Sequence, residues 1–305
     1  MALHVLPRAL NYLETVARVG SIQAASRSIG IAASAIDRQI IALEEDCQTP
    51  LFERHARGMR LTSAGEAVVL LARRWRADEE RLEEEMRTMR GEQFGTVRMG
   101  AMDSLVNSIL PKLVSSFAEQ YPRIRFAIDI MTPREAAHEL DIGSIDLALA
   151  FNLPNNRSRH VLWFAPLPFG CVVGHGHPLW DKTKTTLREA AEYPLAAQSR
   201  ALPVREYLDK GFGWLFESAE PALVTNSLQF MKQMLIGGNY LAITSQLDAL
   251  SELESGRLRF VPLTDKGLRP QSISVAVDAR RPLSRAARLV GEALSDTLSE
   301  HLGKV

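Results

Sequence analysis

The sequence predicts an α/β protein that begins with an all-helical winged helix-turn-helix, continues through one long helix and ends in two small α/β lobes. Three observations carry that expectation. Residues 6 to about 64 show helical apolar spacing interrupted by Gly20 and Gly30. Residues 66–90 contain neither Gly nor Pro, and Val68, Trp75, Leu82 and Met89 recur every seven residues. From residue 96 onward short apolar runs alternate with amphipathic stretches, the pattern of open, largely parallel sheets. That region holds roughly 210 residues, which suits two lobes better than one.

Leu6, Leu10, Leu13 and Val16 or Ala17 define a first helix, with Gly20 as its C-terminal stop and Ser21 as the next N-cap. A short second helix runs from Ile22 to Ile29 and Gly30 ends it. A third buries Ile36, Ile40, Leu43 and Cys47 on one face. Two short helices around a tight Gly-containing turn form a helix-turn-helix. After Pro50, the segments 51–54 and 57–62 read as two short strands around a turn, a wing. The heptad stripe that follows, Val68, Leu71, Trp75, Leu82 and Met89, predicts helix pairing between two copies, although Asp78 and Glu85 interrupt the seam. Residues 91–95 read as a hinge.

Strands are expected at 96–101, 126–131, 145–150, 170–173, 195–197, 222–225, 240–244, 258–262 and 272–277. Thr132-Pro133-Arg134-Glu135 and Thr186-Leu187-Arg188-Glu189 are helix-start boxes.

Composition narrows the function. The chain has 305 residues, 46% hydrophobic and 24% charged, with zero formal net charge, so it has enough apolar content for packed cores. Only Cys47 and Cys171 occur, which excludes a disulfide framework and fits a reducing compartment. No segment reads as a signal peptide or as a membrane span, and a cytoplasmic location is expected. No triad, phosphate loop or dinucleotide fingerprint appears, so no catalytic residue and no cofactor are expected. His175-x-His177 lacks a third ligand and reads as a turn, so no metal site is expected. Glu83-Glu84-Glu85 reads as a solvated helix face.

The N-terminal motifs form an ordered set: Gly20-Ser21-Ile22, Ala24-Ala25, Arg38-Gln39-Ile40, Leu43-Glu44-Glu45, Pro50-Leu51-Phe52-Glu53-Arg54 and Leu61-Thr62-x-Ala64-Gly65. In this order and spacing they resemble the LysR-type transcriptional regulators. Asp146-Leu147-Ala148 and His177-Pro178-Leu179 extend the similarity along the chain. The resemblance implies a DNA-binding domain over 1–64, a linker and dimerisation helix over 65–92, and an effector-binding domain over 93–305 whose two lobes resemble periplasmic binding proteins. Its first lobe would be 96–160 plus 268–305 and its second 168–262, with crossings near 161–168 and 262–267. The implied function is a sequence-specific transcription regulator modulated by a small-molecule effector. Its partners would be double-stranded DNA, the effector, the transcription machinery and further copies of itself, as a dimer or a dimer of dimers, with the tetramer favoured.

One departure matters. The family often begins its recognition helix with Ser-Gln-Pro-Ala-Leu-Ser, whereas this chain has Ala32-Ala33-Ser34-Ala35-Ile36-Asp37. The family's base contacts therefore do not transfer. The residues themselves place Ala33, Ser34, Asp37, Arg38 and Ile41 on the groove-facing side, with Ser21 at the start of helix two. Arg38 can present a fork to guanine or phosphate, Asp37 can accept from cytosine, and Ala33 and Ile41 can meet thymine methyls. The opposing reading of Arg38 is an ion pair with Asp37 or a neighbouring acid. Arg54, Arg57 and Arg60 arm the wing, with Arg54 alternatively paired to Glu53 or a helix. Residues 1–76 hold ten Arg against seven Asp or Glu, a modest excess of three.

In open α/β sheets ligands sit beyond strand C-termini. Met102, Ser104, Thr132, Phe151, Asn152, Gln198, Asn226 and Ser227 lie at such ends and are the candidate effector contacts. Each hydroxyl among them reads equally well as a helix cap. The alternative function is a small-molecule sensor whose N-terminal module binds DNA weakly or docks a partner. An enzyme and a general architectural DNA protein fit less well.

Overall fold

The computed structural model describes residues 6–55, 58–89, 95–200, 202–218 and 220–302. Three helices come first: α1 (Arg8–Val19), α2 (Ile22–Ile29) and α3 (Ala33–Cys47). Gly20 at φ 79° and Gly30 at φ 69° take left-handed backbone and donate their N–H groups to the carbonyls of Val16 and Ser26, ending α1 and α2. Leu13, Val16, Ala25, Ile36 and Ile40 are wholly enclosed where the three helices meet. Cys47 is exposed, contrary to the expectation of a core position, because α3 runs a full turn past Ile40 and Leu43 before it ends.

The wing is β1 (Phe52–His55) paired antiparallel with β2 (Gly58–Leu61). A closed hydrogen-bond set fastens it to the helices. Glu44 Oε1 accepts from the N–H groups of Leu51 at 2.7 Å and Phe52 at 3.1 Å. The Thr62 hydroxyl donates to the Pro50 carbonyl at 2.8 Å and accepts from Gly65 N at 3.0 Å. Gly65 passes so close to the wing that a Cβ there would stand 2.0 Å from the Leu51 carbonyl oxygen. The motif residues around position 50 and position 62 are thus parts of one clasp.

α4 (Ser63–Met89) extends from this clasp for 27 residues. Val69 buries into the N-terminal core, Val68 packs partly against it, and Ala72 is wholly enclosed. Beyond them Leu71, Trp75, Leu82, Met86 and Met89 are exposed, with Met89 at 84%. Residues 91–94 of the expected hinge lie outside the described residues.

The C-terminal part then runs β3 (Gly95–Ala101), α5 (Ile109–Gln120), β4 (Ile124–Ile130), α6 (Pro133–Ile142), β5 (Leu147–Phe151), β6 (Arg159–Leu167) and β7 (Phe169–Gly174). It continues through α7 (Leu187–Ala190), β8 (Ala196–Gln198), α8 (Pro203–Phe212), α9 (Trp214–Ser218), β9 (Leu223–Thr225), α10 (Leu228–Ile236) and β10 (Leu241–Ser245). α11 (Leu250–Glu254), β11 (Leu258–Pro262), β12 (Gln271–Asp278) and α12 (Arg285–Leu302) complete it.

The first lobe centres on a five-stranded sheet in the order β4-β3-β5-β12-β6. β3 is parallel to β4 and β5, whereas β12 returns from the other lobe and runs antiparallel to both β5 and β6. α5 and α12 cover a core built on Met99, Leu147, Leu149, Val275 and Leu294. The second lobe differs from the expected parallel pattern. Its main sheet, β10-β7-β11, is antiparallel throughout, because β10 and β11 both run against β7. The short pair β8 and β9 is parallel, and single parallel bridges join Leu195 to Leu241 and Thr185 to Leu263. The segment expected as the first crossing is also different: residues 159–167 form the edge strand β6, and the chain passes to the second lobe at Pro168.

α4 is fixed to the first lobe by charge. Asp146 accepts from Arg81 Nη2 at 3.2 Å with Oδ1 and from Arg98 N at 2.9 Å with Oδ2. Glu80 pairs with Arg98 at 2.5 Å, and Asp78 lies 3.7 Å from Arg281.

Candidate functional site

Two surfaces stand out, one at each end of the chain. The first is the outer face of α3. Ile36 and Ile40 point inward, so Ser34, Arg38 and Ile41 point out; Ile41 is 40% exposed. Ala33 and Asp37 are half-buried at its edge. Ser21 begins α2, its hydroxyl accepting from Ala24 N at 3.1 Å. Asp37 is not bonded to Arg38. Its carboxylate takes Arg54 Nη2 at 2.8 Å, from β1. This contact ties the wing to α3 and offsets the charge of Asp37 beside Arg38. Arg38 makes no ion pair or hydrogen bond among the described residues, so its guanidinium is available. Arg60 is exposed opposite Glu53 in the wing. Arg57 lies outside the described residues.

The second surface is a cleft between the lobes, enclosing a cavity of about 230 Å³. The topology brings strand ends from both sheets to it. Met102, Ser104, Thr132, Phe151, Gln198 and Asn226, all expected from strand position, line it. Asn152 and Ser227 do not. Asn152, held at φ 47°, turns its amide toward β12, where Oδ1 accepts from Ser272 N at 2.9 Å. Ser227 caps α10 by accepting from Phe230 N at 3.2 Å.

Asp248 and Gln271 also line the cleft, and the sequence reading missed both. Asp248 sits 2% exposed in the turn after β10. Its Oδ1 accepts from Ser104 Oγ at 2.5 Å across the cleft; Oδ2 accepts from Ser245 Oγ at 2.8 Å and Ser245 N at 3.1 Å, and also from the Thr244 hydroxyl. The Ser245-to-Asp248 capping box was a readable signal for that position. Asn107 donates to Gln229 at 2.6 Å and Lys112 pairs with Glu254 at 3.0 Å, so several polar contacts span the lobes. At the start of α6, Thr132 N donates to Glu135 Oε2 at 2.7 Å. That hydrogen bond, with the Thr132 hydroxyl second, holds the Glu135 carboxyl below the usual carboxylate range.

His177 Nδ1 accepts from Leu179 N at 3.1 Å inside the second lobe. Among the described residues no group of His, Cys, Asp and Glu is arranged to hold a metal ion. No described helix is long and apolar enough to cross a membrane.

Residues 7–66 match the family model for the bacterial regulatory helix-turn-helix protein of the lysR family, and residues 90–299 match the LysR substrate binding domain. The chain belongs to the LysR family. It is a LysR-type DNA-binding transcriptional regulator with an effector-binding domain, and not an enzyme. It is 26% identical over 256 residues to the RuBisCO operon transcriptional regulator of Allochromatium vinosum, covering 84% of each chain. It is likewise 26% identical over 275 residues to the HTH-type transcriptional regulator CbbR of Rhizobium meliloti, covering 88% of this chain and 86% of the relative. Among solved structures, full-length CbnR complexed with its target DNA matches with a TM-score of 0.64 at 19% identity, over 95% of this chain and 99% of that one. A full-length OxyR from Pseudomonas aeruginosa matches at 0.67 and 18%, over 97% and 95%. At these identities the two structures establish the LysR fold.

Proposed function

We propose that this LysR-type regulator is a cytoplasmic homo-oligomer that reads a two-fold symmetric operator with α3 and responds to a small molecule held in the interlobe cleft. The observation that carries the DNA half is the state of the α3 face. Asp37 is paired with Arg54, while Arg38 is exposed and, among the described residues, unengaged beside Ser34 and Ile41. A guanidinium so placed can form a bidentate contact with guanine, and the neighbouring apolar side chain can meet a thymine methyl. Arg54 and Arg60 of the wing would contact the backbone and an adjacent groove.

Pairing through α4 accounts for Leu71, Trp75, Leu82, Met86 and Met89, a stripe too apolar to be left in water. Val68 contributes at most the start of that stripe. A dimer of dimers, the family arrangement favoured from the sequence, would double the DNA contact, and contact with the transcription machinery follows from the regulator's role. The cleft supports the sensing half. A ligand with different affinity for two lobe arrangements would shift the balance between them. The Asp146, Arg98 and Arg281 contacts would carry that shift into α4.

The test is selection of bound fragments from the source genome at ~0.15 M salt, where nonspecific phosphate binding is weakened. Discrete fragments sharing a symmetric site, lost with Arg38→Ala, support the reading. Diffuse enrichment equal in both proteins overturns sequence-specific recognition by α3 and favours a weak or partner-docking N-terminal module.

A further inference from the structure

The buried charges of this chain are paired, with one exception, and the exception lies in the cleft. We infer that, if the cleft is the effector site as proposed above, it takes a small organic cation, an ammonium head on an apolar body, and discriminates against carboxylates and phosphates.

Four acids are buried among the described residues: Asp146, Asp248, Glu252 and Asp278. Enclosing a carboxylate is costly unless a cation answers it. Asp146 meets Arg81 at 3.2 Å, Glu252 meets Lys232 at 3.0 Å and Asp278 meets Arg280 at 2.8 Å. Asp248, only 2% exposed, meets no cation among the described residues. Its donors are the hydroxyls of Ser104, Thr244 and Ser245 and the Ser245 backbone N–H, all of them uncharged. They solvate the charge and leave its sign uncompensated. Asp248 is also the one acid of the four that lines the cavity. The missing counter-charge therefore belongs on the cavity side.

The rest of the lining has the same sign. Asp103 and Glu135 join Asp248 there, and no described Lys, Arg or His does. Asp103 is half-buried, and its carboxylate makes no hydrogen bond or ion pair among the described residues, so it is open to a ligand. The two arginines next in sequence to lining residues serve other acids. Arg205 Nε donates to Asp209 at 2.8 Å, and Arg134 lies 3.7 Å from Glu206. The start of α6 would attract an anion, but Glu135 Oε2 already occupies Thr132 N. An entering carboxylate or phosphate would meet three like charges and gain no cation, whereas an ammonium is attracted by all three.

The arrangement selects among cations. No described group of His, Cys, Asp and Glu is placed to hold a metal ion, so the three carboxylates surround the cavity without converging on one point. A molecule with a body suits that spread better than a bare ion. Its ammonium would donate a charge-assisted hydrogen bond to Asp103. Met102, Ile130, Phe151 and Leu228 supply an apolar wall for the remainder, within about 230 Å³. Asp103 and Glu135 belong to the first lobe and Asp248 to the second. Bringing the lobes together sets like charges around one cavity, and a cation between them offsets that repulsion. The ligand thereby has different affinity for the two lobe arrangements, which is what a sensor requires.

The experiment uses the full chain with ¹³C-methyl methionine, since Met102 and Met131 both line the cleft and report occupancy. Three matched probes are titrated: 2-phenylethylammonium, 2-phenylethanol and phenylacetate. The expected result is shifts at Met102 and Met131, with the ammonium at least about tenfold tighter than the alcohol or the carboxylate. Asp103→Asn should weaken the ammonium by about tenfold and leave the alcohol unchanged, because only the charged contact is lost. The wild-type ranking stands as a test even if the variant fails to fold. Phenylacetate or 2-phenylethanol binding in the cleft as tightly as the ammonium refutes the inference and leaves the cleft as a ligand site. Unchanged ammonium affinity in a folded Asp103→Asn refutes it too. No probe perturbing either methionine refutes both this inference and the reading of the cleft.

Discussion

Replacing Asp146 by alanine should loosen the long helix without touching DNA or ligand. Asp146 is 6% exposed and receives both Arg81 Nη2 and the Arg98 backbone N–H. Removing one partner of a buried ion pair costs about 3–5 kcal/mol, mostly because the other charge is left uncompensated. Here Arg81 keeps Asp78 at 3.6 Å, and its side chain is 13% exposed, so water reaches it. The expected cost therefore falls at the lower end, about 3 kcal/mol. In hydrogen exchange by mass spectrometry, peptides covering residues 76–84 should exchange about 160-fold faster than wild type, while α1 to α3 stay protected. Arg81→Met and the double variant complete a cycle, with a coupling of about 1–3 kcal/mol expected for side chains in direct contact. Unchanged exchange over 76–84, or single effects that simply add, would refute the idea that this contact fastens α4 to the first lobe.

Two further outcomes follow from other parts of the chain. Trp75→Asp should raise the dissociation constant of the oligomer at least about thirtyfold, a 2 kcal/mol loss typical of an aromatic anchor, as read by sedimentation at graded concentrations; an unchanged value would remove α4 as the interface. Burial lowers the His177 pKa below its ordinary value of 6.5, so the folded state favours the neutral ring. Its contribution to stability is complete above 6.5 and is lost as pH falls from there toward the folded value. Unfolding midpoints across pH 5 to 7.5, a window of roughly one unit to either side of the histidine value, should decline on the acid side in wild type and flatten in His177→Gln; parallel curves would contradict this.

The N-terminal end was legible because its signals are local. Gly20 and Gly30 end helices a few residues from where they are read, and the apolar spacing of Ile36 and Ile40 needs only one helix to make sense. The cleft was half legible. Met102, Thr132 and Phe151 follow from strand ends, but Asp248 meets Ser104 across 144 residues and Gln271 meets Asn152 across 119, separations that periodicity cannot bridge. The edge strand β6 was hidden by Pro166, which weakens a strand reading, yet an edge tolerates proline because its outward N–H has no ladder partner to lose. Strand direction in the second lobe was also beyond reach, since apolar runs such as 170–173 and 241–244 look alike in either sense. Arg54 was read as a groove or structural residue; only the folded wing brings it 2.8 Å from Asp37.

The most direct test of the account is the affinity of wild type and Arg38→Ala for a selected operator and for random-sequence duplex, measured side by side at one salt concentration. Because Arg38 is exposed and, among the described residues, unpaired, its loss should leave folding intact and weaken operator binding by about 1–3 kcal/mol, or about 5- to 160-fold, with a much smaller effect on random duplex. Equal losses on both DNAs would reduce Arg38 to a phosphate contact, and no loss on the operator would contradict recognition through the α3 face.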